Sequence, residues 1–315
     1  MDSDYKRLPA RKVLLAIDDS IASPTSHRAL AYARDLATVG GEILAVRVGA
    51  GPKSPVPATT LDSHGPPVTR NPWMNDTSEA VDQAREFCAE LNIVLHATII
   101  DLTERGGHIA HALAETAQTW EADLVVAGAR PEHRQRGWIE HTVAELICKL
   151  AQCPLLVVPA SFDRNAEFAC KRILFAVDGS DAALFALRYG ARLAMADAHL
   201  HAIYVVDRAV HLTDFVPVHL LAEGFLAKGS AALTQAQTIL SGTPSKTSTA
   251  LVTTERTADD VAHTLVREAL RWNAGLLTMG TRARRGVAHW LPSHDVIRVA
   301  RLTQTPLLLI GTNQN

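Results

Sequence analysis

Gly280-Thr281-Arg282-Ala283-Arg284-Arg285-Gly286 follows directly on the apolar run Leu276-Leu277-Thr278-Met279, and Ser293 comes shortly after. These residue types suit phosphate. Glycine lets backbone amides close on an anion, arginine forks match its oxygens, and a serine hydroxyl adds a donor. The same construction occurs earlier as Leu124-Val125-Val126-Ala127-Gly128-Ala129-Arg130, with Thr142 beyond it. Two carboxylates stand at comparable places, Asp18 after Leu14-Leu15-Ala16-Ile17 and Asp178 after Leu174-Phe175-Ala176-Val177. Each suits either a ligand contact or an ordinary turn, since Asp followed by Ser or Gly favours turns. The cluster Arg282, Arg284, Arg285 equally suits a solvated surface or a phosphate contact.

The elements that must position these residues alternate. Lys12–Ile17 reads as a strand buried on both faces, Arg28–Thr38 as a helix ending before Gly40-Gly41, and Ile43–Val48 as a second strand. Residues 49–78, rich in proline, read as a long irregular loop. Glu79–Leu91 reads as a helix and Ile93–Ile100 as a strand. Ile109, Leu113, Ala117 and Trp120 make one helical stripe. Leu124–Gly128 is the fourth strand, Val143–Leu150 a helix, and Leu155–Val158 the fifth strand. Ser161–Lys171 reads as a polar connection.

The plan then restarts. Lys12–Ser20 recurs as Arg172–Ser180, 160 residues on, and the helical stripe recurs as Val261, Leu265, Ala269, Trp272 at an offset of 152. At that second offset His111/His263, Gly128/Gly280, Arg130/Arg282 and Pro154/Pro306 also coincide. A duplicated module explains this, with boundaries at 1–160 and 161–315. Each half reads β-α-β-α-β-α-β-α-β: an α/β chain of two tandem doubly wound domains, each a five-stranded parallel sheet with helices on both faces. Ligands of such sheets sit at the carboxyl edge of the strands.

The totals narrow the classes. The 315 residues are 47% hydrophobic and 20% charged, with a net charge of −2, so each half can bury a core and no global charge draws nucleic acid or an anionic membrane. No apolar stretch approaches a membrane span, and Met1–Arg7 has no signal core behind it. Cys88, Cys148, Cys153 and Cys170 form no CxxC pair or zinc spacing, which points to reduced thiols in a cytoplasmic protein. No metal site is expected. His111 and His263 sit one position past core residues and read as surface or interdomain groups. Residues 210–225 suit a core-covering helix or an exposed apolar lid or partner surface.

In order and spacing, the strand ends Ile17-Asp18-Asp19-Ser20 and Val177-Asp178-Gly179-Ser180, the stretches closing on Gly128 and Gly280, and the strands after Pro154 and Pro306 resemble the universal stress protein family in its tandem form. The resemblance covers nearly the whole chain and implies the adenine-nucleotide α-hydrolase-like fold. It also implies pairing of Leu155–Val158 with Leu307–Ile310, a nucleotide site behind the fourth strand of each half, and an aspartate (Asp18 or Asp178) facing adenosine. The family's nucleotide-binding branch carries glycine, two residues, glycine, nine residues, then glycine with serine or threonine. Here the second half reads Gly280, Ala283, Ser293-His294, and the first reads Gly128, Pro131, His141-Thr142. A proline removes an amide and fixes φ, so the first half is expected not to hold ATP in the family manner.

The expected ligand site is therefore Asp178, Gly280, Arg282, Arg284, Arg285, Gly286 and Ser293, with Asp18, Gly128, Arg130 and Thr142 as the weaker equivalent and no catalytic residue. The leading expectation is a non-enzymatic regulatory protein, an intramolecular domain pair with ATP or another adenine nucleotide as the candidate cofactor of the second domain. Homodimerisation stays open. The alternative is slow ATP hydrolysis or adenylyl transfer, which needs an intact phosphate cradle.

Overall fold

The computed structural model describes residues 10–17, 20–49, 72–102, 109–129, 153–207, 218–255, 259–282 and 294–312. In the first half these form β1 (Ala10–Ile17), α1 (Pro24–Leu36), β2 (Ala37–Gly49), α2 (Pro72–Ala89), β3 (Val94–Asp101), α3 (Ile109–Thr119), β4 (Leu124–Ala129) and β5 (Leu155–Pro159). A linker helix α4 (Ala166–Lys171) follows. The second half has β6 (Arg172–Ala176), α5 (Asp181–Arg192), β7 (His199–Val206), α6 (Val218–Leu240), β8 (Lys246–Thr253), α7 (Val261–Arg271), β9 (Leu276–Arg282), α8 (His294–Leu302) and β10 (Leu307–Thr312).

All ten strands join one sheet in the order β3-β2-β1-β4-β5-β10-β9-β6-β7-β8. Pairing is parallel within each half and antiparallel only between β5 and β10. The seam register is Leu307 with Val157, Leu308 with Leu156 and Leu309 with Leu155. Leu308 is the repeat-equivalent of Leu156, so an internal twofold axis passes through that central pair. Antiparallel pairing also turns the carboxyl edges of the two halves to opposite sides of the molecule. No single ligand can bridge them.

One apolar layer lies on each face of the sheet, and both run through the seam. The first packs α1, α2, α4, α5 and α6 on the strands, and the second packs α3, α7 and α8. The unbroken Val, Leu and Ile runs of the central strands follow from this two-sided cover. Packing was adjusted after duplication. Where the first half has Ala33, Leu15 and Val126 in one apolar cluster, the second sets Gly190 against Phe175 and Thr278. A Cβ at Gly190 would lie 2.7 Å from Phe175 Cε1, so the larger ring is accommodated by the missing methyl. Thr278 is 1% exposed and its hydroxyl has no hydrogen-bond partner among the described residues. Thr278→Val keeps the shape and removes the orphaned donor, and should raise stability by about 1 kcal/mol in urea unfolding. A drop would show that the hydroxyl is satisfied in solution.

A second repeated device closes each half. Lys12 lies 5.7 Å from the centre of the Trp120 ring and donates to the Trp120 carbonyl at 3.2 Å. Arg172 lies 4.3 Å from the Trp272 ring centre and donates to the carbonyls of Trp272 and Asn273. A cation at the start of the first strand thus satisfies a helix C-terminus and covers its tryptophan.

Several boundaries differ from expectation. Ser23 accepts from the Ser26 amide at 3.1 Å and Pro24 occupies the first turn, so α1 starts before Arg28 and ends at Leu36. Ala37 already belongs to β2, whose pairing jumps from Ala10–Ala37 to Lys12–Glu42, and Gly40, at φ +77°, sits in that irregularity. The connection Ser161–Lys171 contains α4, capped by Asn165 accepting from the Phe168 amide at 3.0 Å. In the long loop expected over 49–78, Gly49 ends β2 and α2 begins at Pro72, and residues 50–71 lie outside the described residues. The helix expected across Val143–Leu150 lies outside them too. Of 210–225, residues 218–225 open α6 and the rest are likewise outside.

Candidate ligand site at the carboxyl edge

At the tip of β6 the Asp178 carboxylate accepts from the Ser180 amide at 2.9 Å and, through the same oxygen, from the Ser180 hydroxyl. Ser180 in turn caps α5, its hydroxyl accepting from the Ala183 amide at 3.2 Å. Gly179 adopts φ +79°, which an L side chain resists, and this turns the carboxylate back over the helix N-terminus. The sequence Asp-Gly-Ser therefore makes the turn, and in doing so it holds a carboxylate at the sheet edge.

Gly280, near the end of β9, faces the first turn of α5. A Cβ there would stand 2.4 Å from the Ala182 carbonyl carbon and oxygen and 2.6 Å from the Ala183 nitrogen. Gly128 stands in the same relation to α1, where a Cβ would meet the Thr25 methyl at 2.5 Å and the Thr25 carbonyl oxygen at 2.9 Å. Each glycine brings the fourth strand of its half and the first helix into backbone contact, beside the carboxylate turn in the second half.

Around this turn the described edge of the second half is polar. Burial and the neighbouring Asp178 carboxylate push the Tyr204 phenol up, and its ring packs where Gly229 lets α6 approach. The Thr254 hydroxyl reaches Asp207 at 3.5 Å. Beyond it, Asp259 is nearly enclosed. It accepts from the Glu255 amide at 2.7 Å, Thr264 at 2.9 Å and Arg267 at 2.8 Å. Asp260 caps α7, accepts from His263 through backbone and ring, and pairs with Arg298 of α8 at 2.8 Å.

Burial would raise the Asp259 carboxyl, but the hydrogen bonds from Glu255, Arg267 and Thr264 outweigh it and hold the group below its ordinary value. A depressed folded pKa contributes stability above the unfolded value of about 3.9 that is lost as pH falls through the folded one. The native chain should therefore lose more stability between about pH 4 and pH 2 than Asp259→Asn does. Equal losses in acid denaturation would remove Asp259 from the pH response.

Among the expected site residues, the structure brings Asp178 and Gly280 together through the first turn of α5 and gives Gly128 the matching place in the first half. Arg282 ends β9, its backbone paired with Thr312. Arg284, Arg285, Gly286, Ser293, Asp18, Arg130 and Thr142 lie outside the described residues. Tyr204, Asp207, Thr254, Asp259 and Asp260 were not anticipated, although Asp-Asp just before the α7 stripe is a readable cap. His263 joins the Asp260 cap and His111 is exposed on α3. Cys88 and Cys153 are free thiols, Cys170 is buried in α4, and Cys148 lies outside the described residues. Burial pushes Cys88 up to about 11 and Cys153 up to about 12, so both are protonated and poor nucleophiles at neutral pH. Among the described residues no group of three or more His, Cys, Asp or Glu could hold a metal, and no helix is long and apolar enough to cross a membrane.

The profile of the universal stress protein family matches this chain twice, over residues 9–159 and 169–311. A universal stress protein of Methanocaldococcus jannaschii is 29% identical over 157 residues, covering 48% of this chain and 87% of the relative. The crystal structure of a universal stress protein from Archaeoglobus fulgidus superposes with a TM-score of 0.56 at 15% identity, over 97% of this chain and all of that one. A putative universal stress protein from Pseudomonas aeruginosa gives 0.57 at 13% identity, over 96% and 93%. These two structures share the two-module fold.

Proposed function

The chain belongs to the universal stress protein family, and from that premise we propose that it is a regulatory stress-response protein that acts by holding a small ligand, with no reaction of its own. The ligand is an adenine nucleotide or a similar phosphate-bearing metabolite, and its place is the carboxyl edge of the second domain. The observation that carries this reading is the Asp178-Gly179-Ser180 turn, where a carboxylate and a helix N-terminus are fixed together at a sheet edge. Arg282 ends the neighbouring strand β9, and Arg284, Arg285, Gly286 and Ser293 come after it in the chain, so this stretch supplies the charge and donors a phosphate needs.

The first domain carries Asp18, Gly128, Arg130 and Thr142, but Pro131 and His141 replace two glycines of the family's phosphate turn, and it serves as the structural partner. Its boundary with the second domain falls at about residue 160, where β5 ends and the linker begins. The internal pairing of β5 with β10 supports an intramolecular domain pair. A cytoplasmic setting agrees with the free thiols at Cys88 and Cys153.

Ligand released by denaturing the purified chain, identified by mass, tests the reading. An adenine nucleotide or related phosphate compound is expected, and its occupancy should fall at least tenfold in Arg284→Ala/Arg285→Ala. Unchanged occupancy in that variant would move the ligand elsewhere, and steady phosphate release dependent on Asp178 would make the protein an enzyme.

A further inference from the structure

The two outer strands of the sheet, β3 and β8, are repeat-equivalent, yet they are finished differently. β8 lies under α6, which Gly229 brings close to Tyr204 and Leu251, and only Lys246 and Ser248 of its eight residues are exposed. In β3 six of eight are exposed, among them Val94 at 53% and Ile99, the counterpart of Leu251, at 51%. Among the described residues β3 pairs only with β2, in an unbroken register from Glu42–Val94 to Gly49–Asp101. Its outer backbone groups therefore form a regular row about 27 Å long. Such an edge is commonly guarded by lysine, proline or a bulge, and β3 has none of them.

By residue type, β3 reads alike in both directions. Around Ala97 stand His96 and Thr98, then Leu95 and Ile99, then Val94 and Ile100. A twofold axis perpendicular to the sheet keeps each face on its own side, so an antiparallel contact between two copies must centre on a residue. Centred on Ala97, it sets Leu95 against Ile99, Val94 against Ile100 and His96 against Thr98. Apolar side chains then meet apolar ones, the smallest residue lies on the axis, and the two Asp101 carboxylates stand at opposite ends. Centring on Thr98 would set Leu95 against Asp101 and His96 against Ile100. The order Lys-Thr-Ser-Thr-Ala-Leu-Val-Thr of β8 has no such centre.

The geometry points to a homodimer in which β3 pairs with β3 of a second copy, antiparallel and centred on Ala97, joining two sheets edge to edge. The occupant is a second copy because an isologous contact requires a self-complementary strand, whereas a foreign peptide does not. The contact involves neither the ligand edge of the second domain nor the β5–β10 seam, and it stands or falls separately from the ligand reading.

Sedimentation equilibrium of the full chain should give the mass of two chains. Ile99→Lys and, separately, Thr98→Lys charge one face or the other of the exposed edge and should weaken association at least tenfold, while Thr249→Lys on β8 leaves it unchanged. Under mild oxidation Ala97→Cys should give a covalent dimer and Thr98→Cys should not exceed the native chain. Opposed residues lie about 4.5–5.5 Å apart, and a diagonal pair lies beyond the ~7 Å a disulfide spans. A chain that stays monomeric overturns the proposal. So does a dimer that survives both lysine variants of β3, that Thr249→Lys dissociates, or that cross-links through Thr98→Cys in place of Ala97→Cys.

Discussion

Gly280→Ala should cost the second domain about 3 kcal/mol or more, with no ligand present. The added methyl would meet backbone, the carbonyl of Ala182 and the nitrogen of Ala183, at separations no real Cβ tolerates. That backbone cannot step aside cheaply, because Ser180 caps the same turn and Asp178 holds Ser180. Gly128→Ala is the internal control. Its closest contact is the methyl of Thr25, which a side-chain rotation can relieve, and the backbone approach is looser, with the Thr25 carbonyl oxygen at 2.9 Å, so a smaller cost of about 2 kcal/mol is expected there. Urea unfolding midpoints measure both. A neutral Gly280→Ala would mean that this glycine is present for a ligand alone and not for the approach of α5.

The second large effect belongs to the seam. Leu308→Ala should destabilise the chain by about 3–5 kcal/mol, since Leu308 is 1% exposed and already borders a void that the truncation enlarges. Leu156→Ala should behave alike, and the double variant should depart from additivity because the two residues are direct partners. Leu270→Ala, at a position 49% exposed on α7, should fall within about 0.5 kcal/mol of the native chain. If Leu308→Ala proved as mild as Leu270→Ala, the β5–β10 pairing would not hold the halves together in solution.

The repeat was readable because strands buried on both faces leave long apolar runs, and Gly128/Gly280, Trp120/Trp272 and Pro154/Pro306 kept one spacing. The seam was legible only through the family resemblance, since Leu155–Val158 and Leu307–Ile310 look like any central strand. Helix α4 escaped notice because the polar composition of Ser161–Lys171 hides one short turn started by Asn165. The start of β2 escaped because Gly40-Gly41 read as a helix stop, when they sit in an irregular pairing. Asp178 was found by its place after β6. The contact of Gly280 with Ala182 joins residues far apart in sequence, which spacing along one chain does not reveal. Tyr204 was hidden for a similar reason: its neighbour Asp178 lies just beyond the end of the adjacent strand β6.

If the second module alone holds phosphate, as proposed, the prediction is in whole numbers. Native mass spectrometry of the full chain titrated with ATP should count one nucleotide per chain, lost in Arg284→Ala/Arg285→Ala and retained when Arg130 is changed to Ala. Two nucleotides per chain, or one that survives the second-domain variant and disappears with Arg130→Ala, would contradict it.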